Sequence, residues 1–159
     1  MSSRLTVDDR EMGAALVVRT DFSNAAAWQE VAVQLTRPWG KHRDHEAAVH
    51  LVNDPAWAGV TSDEVQSAAS ADAELSVVFL ADETTMREAC RPLLAVEIRA
   101  GEQCGDRDSE EKPAASSRPF RTEPTAIHDV HINLSIGNMD FEDFAEAARE
   151  DMHGVLRPL

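Results

Sequence analysis

At 159 residues the chain has room for one domain with a proper core, and its 43% hydrophobic and 28% charged content is ordinary for a globular protein. The 15 basic and 29 acidic residues give a formal net charge of −14. Phosphate neutralisation requires clustered Lys and Arg, so this balance argues against a nucleic-acid partner. No apolar run approaches the roughly 18 residues of a membrane span, and no membrane partner is expected.

Residues 1–12 are polar and charged, unlike a signal peptide, and read as a mobile leader. Cys90 and Cys104 lack metal-like spacing and suit a reducing compartment, so a cytoplasmic location is expected. Ala14-Ala15-Leu16-Val17-Val18 is a continuous apolar run, the pattern of a strand buried on both faces. Ser23 or Asn24 can cap a helix in which Trp28, Val31, Ala32 and Leu35 recur at i, i+3, i+4 and i+7. Arg37-Pro38-Trp39-Gly40 ends it, because proline cannot continue the ladder.

A charged loop, 41–46, leads into a second strand, Ala47–Val52, which Asn53-Asp54-Pro55 stops. Thr61-Ser62-Asp63-Glu64 has the spacing of a capping box, ahead of a helix with Val65, Ala68 and Ala69 inward. Leu75–Leu80 is the third strand and the clearest. Thr84–Cys90 makes a short helix with Met86 and Ala89 inward, and Leu93–Ile98 is a fourth strand. Residues 100–117, with Gly, Ser, Pro and mixed charge, read as a flexible insertion. Arg118–Thr122 is a short fifth strand, an antiparallel edge if it pairs with the fourth. Thr125 can cap a helix with Ile127, Val130 and Leu134 inward that ends near Gly137. Asp140 and Asp143 open the last helix, with Met139 and Phe144 at the spacing of a hydrophobic staple.

This alternation predicts an α/β fold, a three-layer sandwich with a mostly parallel, roughly five-stranded sheet and an antiparallel edge strand. A flavodoxin-like strand order is expected, with residues 13–159 as a single domain.

Asn133-Leu134-Ser135-Ile136-Gly137-Asn138-Met139-Asp140-Phe141, followed by Phe144, is a distinctive segment. Val17-Val18-Arg19-Thr20-Asp21-Phe22 with Trp28, Asn53-Asp54-Pro55, Leu80-Ala81-Asp82 and Gly154-Val155-Leu156-Arg157 accompany it. On these residues the chain resembles a family of small uncharacterised actinobacterial α/β domains, from about Leu16 to Leu159. The charged loop 41–46 and the insertion 100–117 depart from that pattern. The resemblance implies domain boundaries and no particular activity.

The first three strands each run out onto an aspartate: Asp21, Asp54 and Asp82. Ligands of open α/β sheets bind beyond the carboxyl ends of the strands. Convergence of the three would therefore give an acidic rim suited to Mg²⁺ or to acid–base catalysis. Aspartate is also the natural cap or turn residue there, and that reading is the stronger. No strand ends on the lysine that receiver-type phosphoryl chemistry uses. His128 and His131, like His42 and His45, are three apart, but zinc needs three or four ligands; solvated histidines and no metal site are expected. Cys90 is expected to be buried as a small hydrophobe. Neither a G-x-S-x-G elbow nor a Gly-rich phosphate loop is present, and no cofactor is expected. Candidate binding residues are Asn53, Asn133, Ser135 and Asn138. The last three also suit hydrogen bonding to local backbone, the stronger of their two readings.

With no catalytic signature and a charge of −14, the leading expectation is an acidic binding or regulatory module that antagonises a basic protein partner. The alternative is a small cofactor-independent enzyme of bacterial specialised metabolism, acting on a small-molecule ligand through the acidic rim with Asn53 alongside. A self-assembling subunit is a third reading, if Trp39 and Trp57 are exposed together.

Overall fold

The computed structural model describes residues 14–38, 48–69, 75–98 and 119–157. The expectations for the leader, Trp39, the loop with His42 and His45, and the insertion with Cys104 lie outside the described residues.

The valine-rich run forms β1 (Ala15–Arg19), in which every residue is buried. Its surroundings explain why: β2 (Val49–Val52) and β3 (Val77–Ala81) flank it, both parallel to it. A parallel strand with partners at both edges and helices over both faces has no place for polar side chains. β4 (Leu93–Glu97) is antiparallel to β3, β5 (Phe120–Thr122) is antiparallel to β4, and β6 (Val155–Leu156) is parallel to β5. The sheet order is β2-β1-β3-β4-β5-β6. The first five places reproduce the flavodoxin-like order, with β4 running against the other described strands. The antiparallel pairing of the fourth and fifth strands is present, and β6 takes the outer position beyond it.

Alternate strand residues face opposite layers. Val17, Phe79, Leu93 and Phe120 pack with α1 (Ala25–Leu35), α3 (Glu83–Arg87), α4 (Ile127–Ser135) and α5 (Phe141–Glu150). Leu16, Val18, Val78 and Val96 pack on the other face with α2 (Ser62–Ala69) and Trp57. The result is the three-layer arrangement. The Phe120 ring lies 5.0 Å from that of Phe141 and 6.5 Å from that of Phe144, which seats α5 on β5. Such aromatic pairs contribute about 0.5–1.5 kcal/mol beyond the area they bury.

Asn24, Thr61 with Glu64, and Asp140 with Asp143 cap their helices as the sequence suggests. Thr125 does not: it lies in the 3-10 turn Pro124–Ala126, and α4 begins without a side-chain cap hydrogen bond. Asn24 Oδ1 accepts from the Ala27 amide at 3.0 Å and starts α1. The Thr61 amide donates to Glu64 Oε1 at 3.0 Å while the Glu64 amide donates to Thr61 Oγ1 at 3.2 Å, the reciprocal bonds of a capping box. The Asp140 amide donates to Asp143 Oδ2 at 2.9 Å at the start of α5.

Four further expectations are corrected. Trp57 is only 3% exposed, so it offers no surface for self-assembly. His128 and His131 are buried, not solvated. His128 Nε2 lies 3.1 Å from the Leu35 carbonyl, one of the last-turn carbonyls that α1 cannot satisfy internally. Desolvation lowers the His128 pKa, opposed by that hydrogen bond and by the Asp129 charge. Ala89 and Cys90 are exposed rather than inward. α3 ends at Arg87, and Arg91 turns the chain with a φ of 50°, so residues 88–90 pass over the surface.

Candidate functional site

β2, β1 and β3 run in parallel and finish at one rim, where the three expected aspartates follow them. Each carboxylate is engaged in local structure. Asp21 accepts from the Ser23 amide at 2.8 Å and from the Ser23 hydroxyl. Asp54 accepts from the Ala56 amide at 3.0 Å and starts the 3-10 turn Pro55–Trp57. Asp82 is the N-cap of α3, accepting from the Thr85 amide at 3.2 Å. Among the described residues no three His, Cys, Asp or Glu side chains gather where they could share a metal ion.

The rim also carries two arginines that are not among the residues expected there. Arg121 reaches from β5 past β4 and holds Asp82 with both ends of its fork, at 2.8 and 3.0 Å. Burial works to raise the Asp82 pKa, but the Arg121 hydrogen bonds and charge, with the Thr85 bonds, outweigh it and hold the carboxyl below its ordinary value. Thr85 Oγ1 donates to the Pro92 carbonyl at 2.7 Å and ties the same cap to the start of β4.

Arg19 ends β1 and is 7% exposed. Its Nε donates to the Asp21 backbone carbonyl at 3.1 Å and its Nη1 to Asn53 Oδ1 at 3.0 Å. The guanidinium carbon lies 4.2 Å from the centre of the Phe22 ring and 5.2 Å from that of Trp28. Desolvation lowers its pKa, and the Asp21 charge acts the other way. Asn53 Oδ1 is thus engaged within the protein, as an acceptor for Arg19. The sequence signal for Arg19 is a cation closing an otherwise apolar strand. For Arg121 it is a charge between Phe120 and Thr122, in the alternating place of a short strand.

A cleft of about 370 Å³ opens beside the Arg121–Asp82 pair, lined by Thr84, Cys90, Pro92, Arg121, His153 and Arg157 among others. Its cations are already neutralised. Arg157 donates to Glu123 at 2.7 Å and to Asp151 at 2.9 Å. The Arg157 hydrogen bond, followed by that from the His153 amide, lowers the Asp151 pKa to about 2.

The distinctive segment, which covers the end of α4 and the turn that follows, is held by its own polar side chains. Asn133 Nδ2 donates to the Asp129 carbonyl at 2.8 Å, and Ser135 Oγ to the His131 carbonyl at 2.8 Å. Asn138 Nδ2 donates to Asn133 Oδ1 at 2.7 Å, closing the turn at Gly137, whose φ is 73°. The first two bonds end on backbone carbonyls and the third on a side-chain amide, and together they fix the helix exit.

Among the described residues no helix is long and apolar enough to cross a membrane. No curated protein matches the chain. A family model described as a domain of unknown function, DUF6924, matches residues 14–159, nearly the whole of the sequence including every strand and helix above. The chain therefore belongs to the DUF6924 family.

Proposed function

We propose that this domain is an acidic binding or regulatory module of the cytoplasm that recognises, and antagonises, a basic protein. The observation that carries the reading is the solvent face of α5, where Glu142, Asp143, Glu146 and Glu150 are all exposed. Arg149 on the same helix is paired with Glu142 at 2.9 Å. Elsewhere among the described residues Arg91 pairs with Glu30, Arg121 with Asp82, and Arg157 with Glu123 and Asp151, so little free positive charge in them offsets that face. A surface of one sign steers an oppositely charged partner and makes its association salt-dependent. The engagement of Asp21, Asp54 and Asp82 in turns, caps and an ion pair weighs against the enzyme alternative. The same reading takes the source to be an actinobacterium and the segment from Asn133 to Phe144 to be the family's signature.

The test is capture of partners on the tagged full chain at low and high salt. A stoichiometric basic protein should be retained at low salt and released at high salt. Glu146→Lys with Glu150→Lys should abolish retention, whereas Asp63→Lys with Glu83→Lys, an equal charge change on other helices, should not. Recovery of the chain alone at every ionic strength would overturn the reading.

A further inference from the structure

We propose that Arg19, held at the C-terminal end of β1 among Phe22, Trp28 and Asn53, anchors a binding site for a small oxyanion, a carboxylate or phosphate group.

Its position in the fold is the first ground. The chain leaves β1 toward β2 through α1 on one face of the sheet, and returns from β2 to β3 through α2 on the other. The C-terminal ends of β1 and β3 are therefore a topological switch point, where an open α/β sheet leaves a crevice for ligands. Arg19 is the last residue of the strand on one side of it, paired in register with Ala81 on the other.

The second ground is charge. A buried cation normally acquires a carboxylate, because an uncompensated charge in a desolvated place is costly. Arg91 and Arg121, whose side chains are 15% and 25% exposed, follow that rule with Glu30 and Asp82. Arg19 does not: its hydrogen-bond acceptors are a backbone carbonyl and a neutral amide oxygen. Asp21 is the nearby acid, but its carboxylate is turned onto the Ser23 amide and hydroxyl. The two ring faces offset part of the cost without neutralising the charge.

The third ground is geometry. A guanidinium has five N–H donors. The Nε bond and the Nη1 bond are the hydrogen bonds that Arg19 makes among the described residues, which leaves Nη2 without an acceptor there. Phe22, Trp28 and Asn53 fix the plane of the fork, so little entropy remains to be lost when an anion binds. Trp28 belongs to the first turns of α1, whose N-terminal end favours negative charge nearby.

The site is tested on the full-length protein by titration with sodium phosphate and, separately, with sodium acetate, at constant ionic strength balanced with chloride. The readout is the nuclear magnetic resonance signal of the Arg19 Nε–H group and the side-chain amide of Asn53. A saturable shift at both groups, with either anion, is the expected result, and the anion with the lower Kd identifies the preferred chemistry. Arg19→Gln should abolish it. Asn53→Asp places a carboxylate against the guanidinium, and should raise the melting temperature while weakening anion binding at least tenfold. That variant keeps the test decisive if Arg19→Gln does not fold. The proposal is overturned if neither anion gives a saturable shift in the native chain, or if Asn53→Asp binds as the native chain does.

Discussion

Arg121 and Arg19 both stand at the C-terminal rim of one sheet, yet their surroundings have little in common. Arg121 grips both oxygens of Asp82 at 2.8 and 3.0 Å, whereas Arg19 meets a backbone carbonyl, an amide oxygen and two aromatic rings. The first arrangement completes itself. It links β5 to β3 across the intervening β4 and locks the carboxylate that caps α3. The second orients a cation without neutralising it. A bidentate pair with a capping role is architecture, and an oriented, uncountered charge is a binding feature.

Removing the two cations should separate these roles. Arg121→Met leaves Asp82 partly buried without its partner. The side chains of the pair are 25% and 27% exposed. Breaking a fully buried pair costs about 3–5 kcal/mol and exposed pairs are worth about 0–1, so a loss of about 2 kcal/mol is expected in urea unfolding. A loss under about 0.5 kcal/mol, the range of an ordinary surface substitution, would break the comparison.

Acid titration sharpens it further. The folded-state pKa of Asp82 lies below its ordinary value of 3.8, so its contribution is complete above that value and is lost as the pH falls through the folded pKa. Arg121→Met should flatten this part of the stability profile. His128 adds a separate slope at higher pH. Its folded pKa lies below 6.5, the unfolded chain takes up the proton first, and stability falls as the pH drops below that value. Equilibrium unfolding at a series of pH values checks both windows, and an unaltered low-pH slope in Arg121→Met would show that Asp82 owes little to its arginine.

Arg19→Met should have the smallest effect. It removes a charge and leaves no opposite charge stranded, and exchanges of that kind are often neutral or stabilising. A change within about 1 kcal/mol in either direction is expected in the same urea assay. A larger loss would place Arg19 with Arg121 as architecture.

Local patterns in the sequence carried most of the scaffold. The Val-rich runs mark β1 and β3, the Thr61–Glu64 spacing marks the start of α2, and Asp140 with Asp143 marks the start of α5. These signals lie within a few residues, where steric preference and hydrogen-bond reach act directly. The rim pairs do not. Arg19 meets Asn53 across 34 positions and Arg121 meets Asp82 across 39, and nothing near either arginine specifies its partner. Two-residue β6 is too short for any periodicity, and its place follows from the docking of α5 on Phe120. The direction of β4 was equally hidden, since Leu93–Glu97 is apolar enough for either sense. His128 is buried rather than solvated because its environment is set by a carbonyl of α1 ninety-three positions away.

The antiparallel junction of β4 and β5 has a consequence for chain length. Leu93 stands opposite Thr122 and Ala95 opposite Phe120, so the chain departs from one strand and re-enters on its immediate neighbour. The closure entropy of a flexible connection grows only with the logarithm of its length, about 0.6 kcal/mol for each doubling. Because Ile98 and Pro119 lead out of and into neighbouring strands, a change in the number of residues that join them would cost the sheet little by that scaling, which makes the junction a place to carry a foreign peptide without redesign of the core.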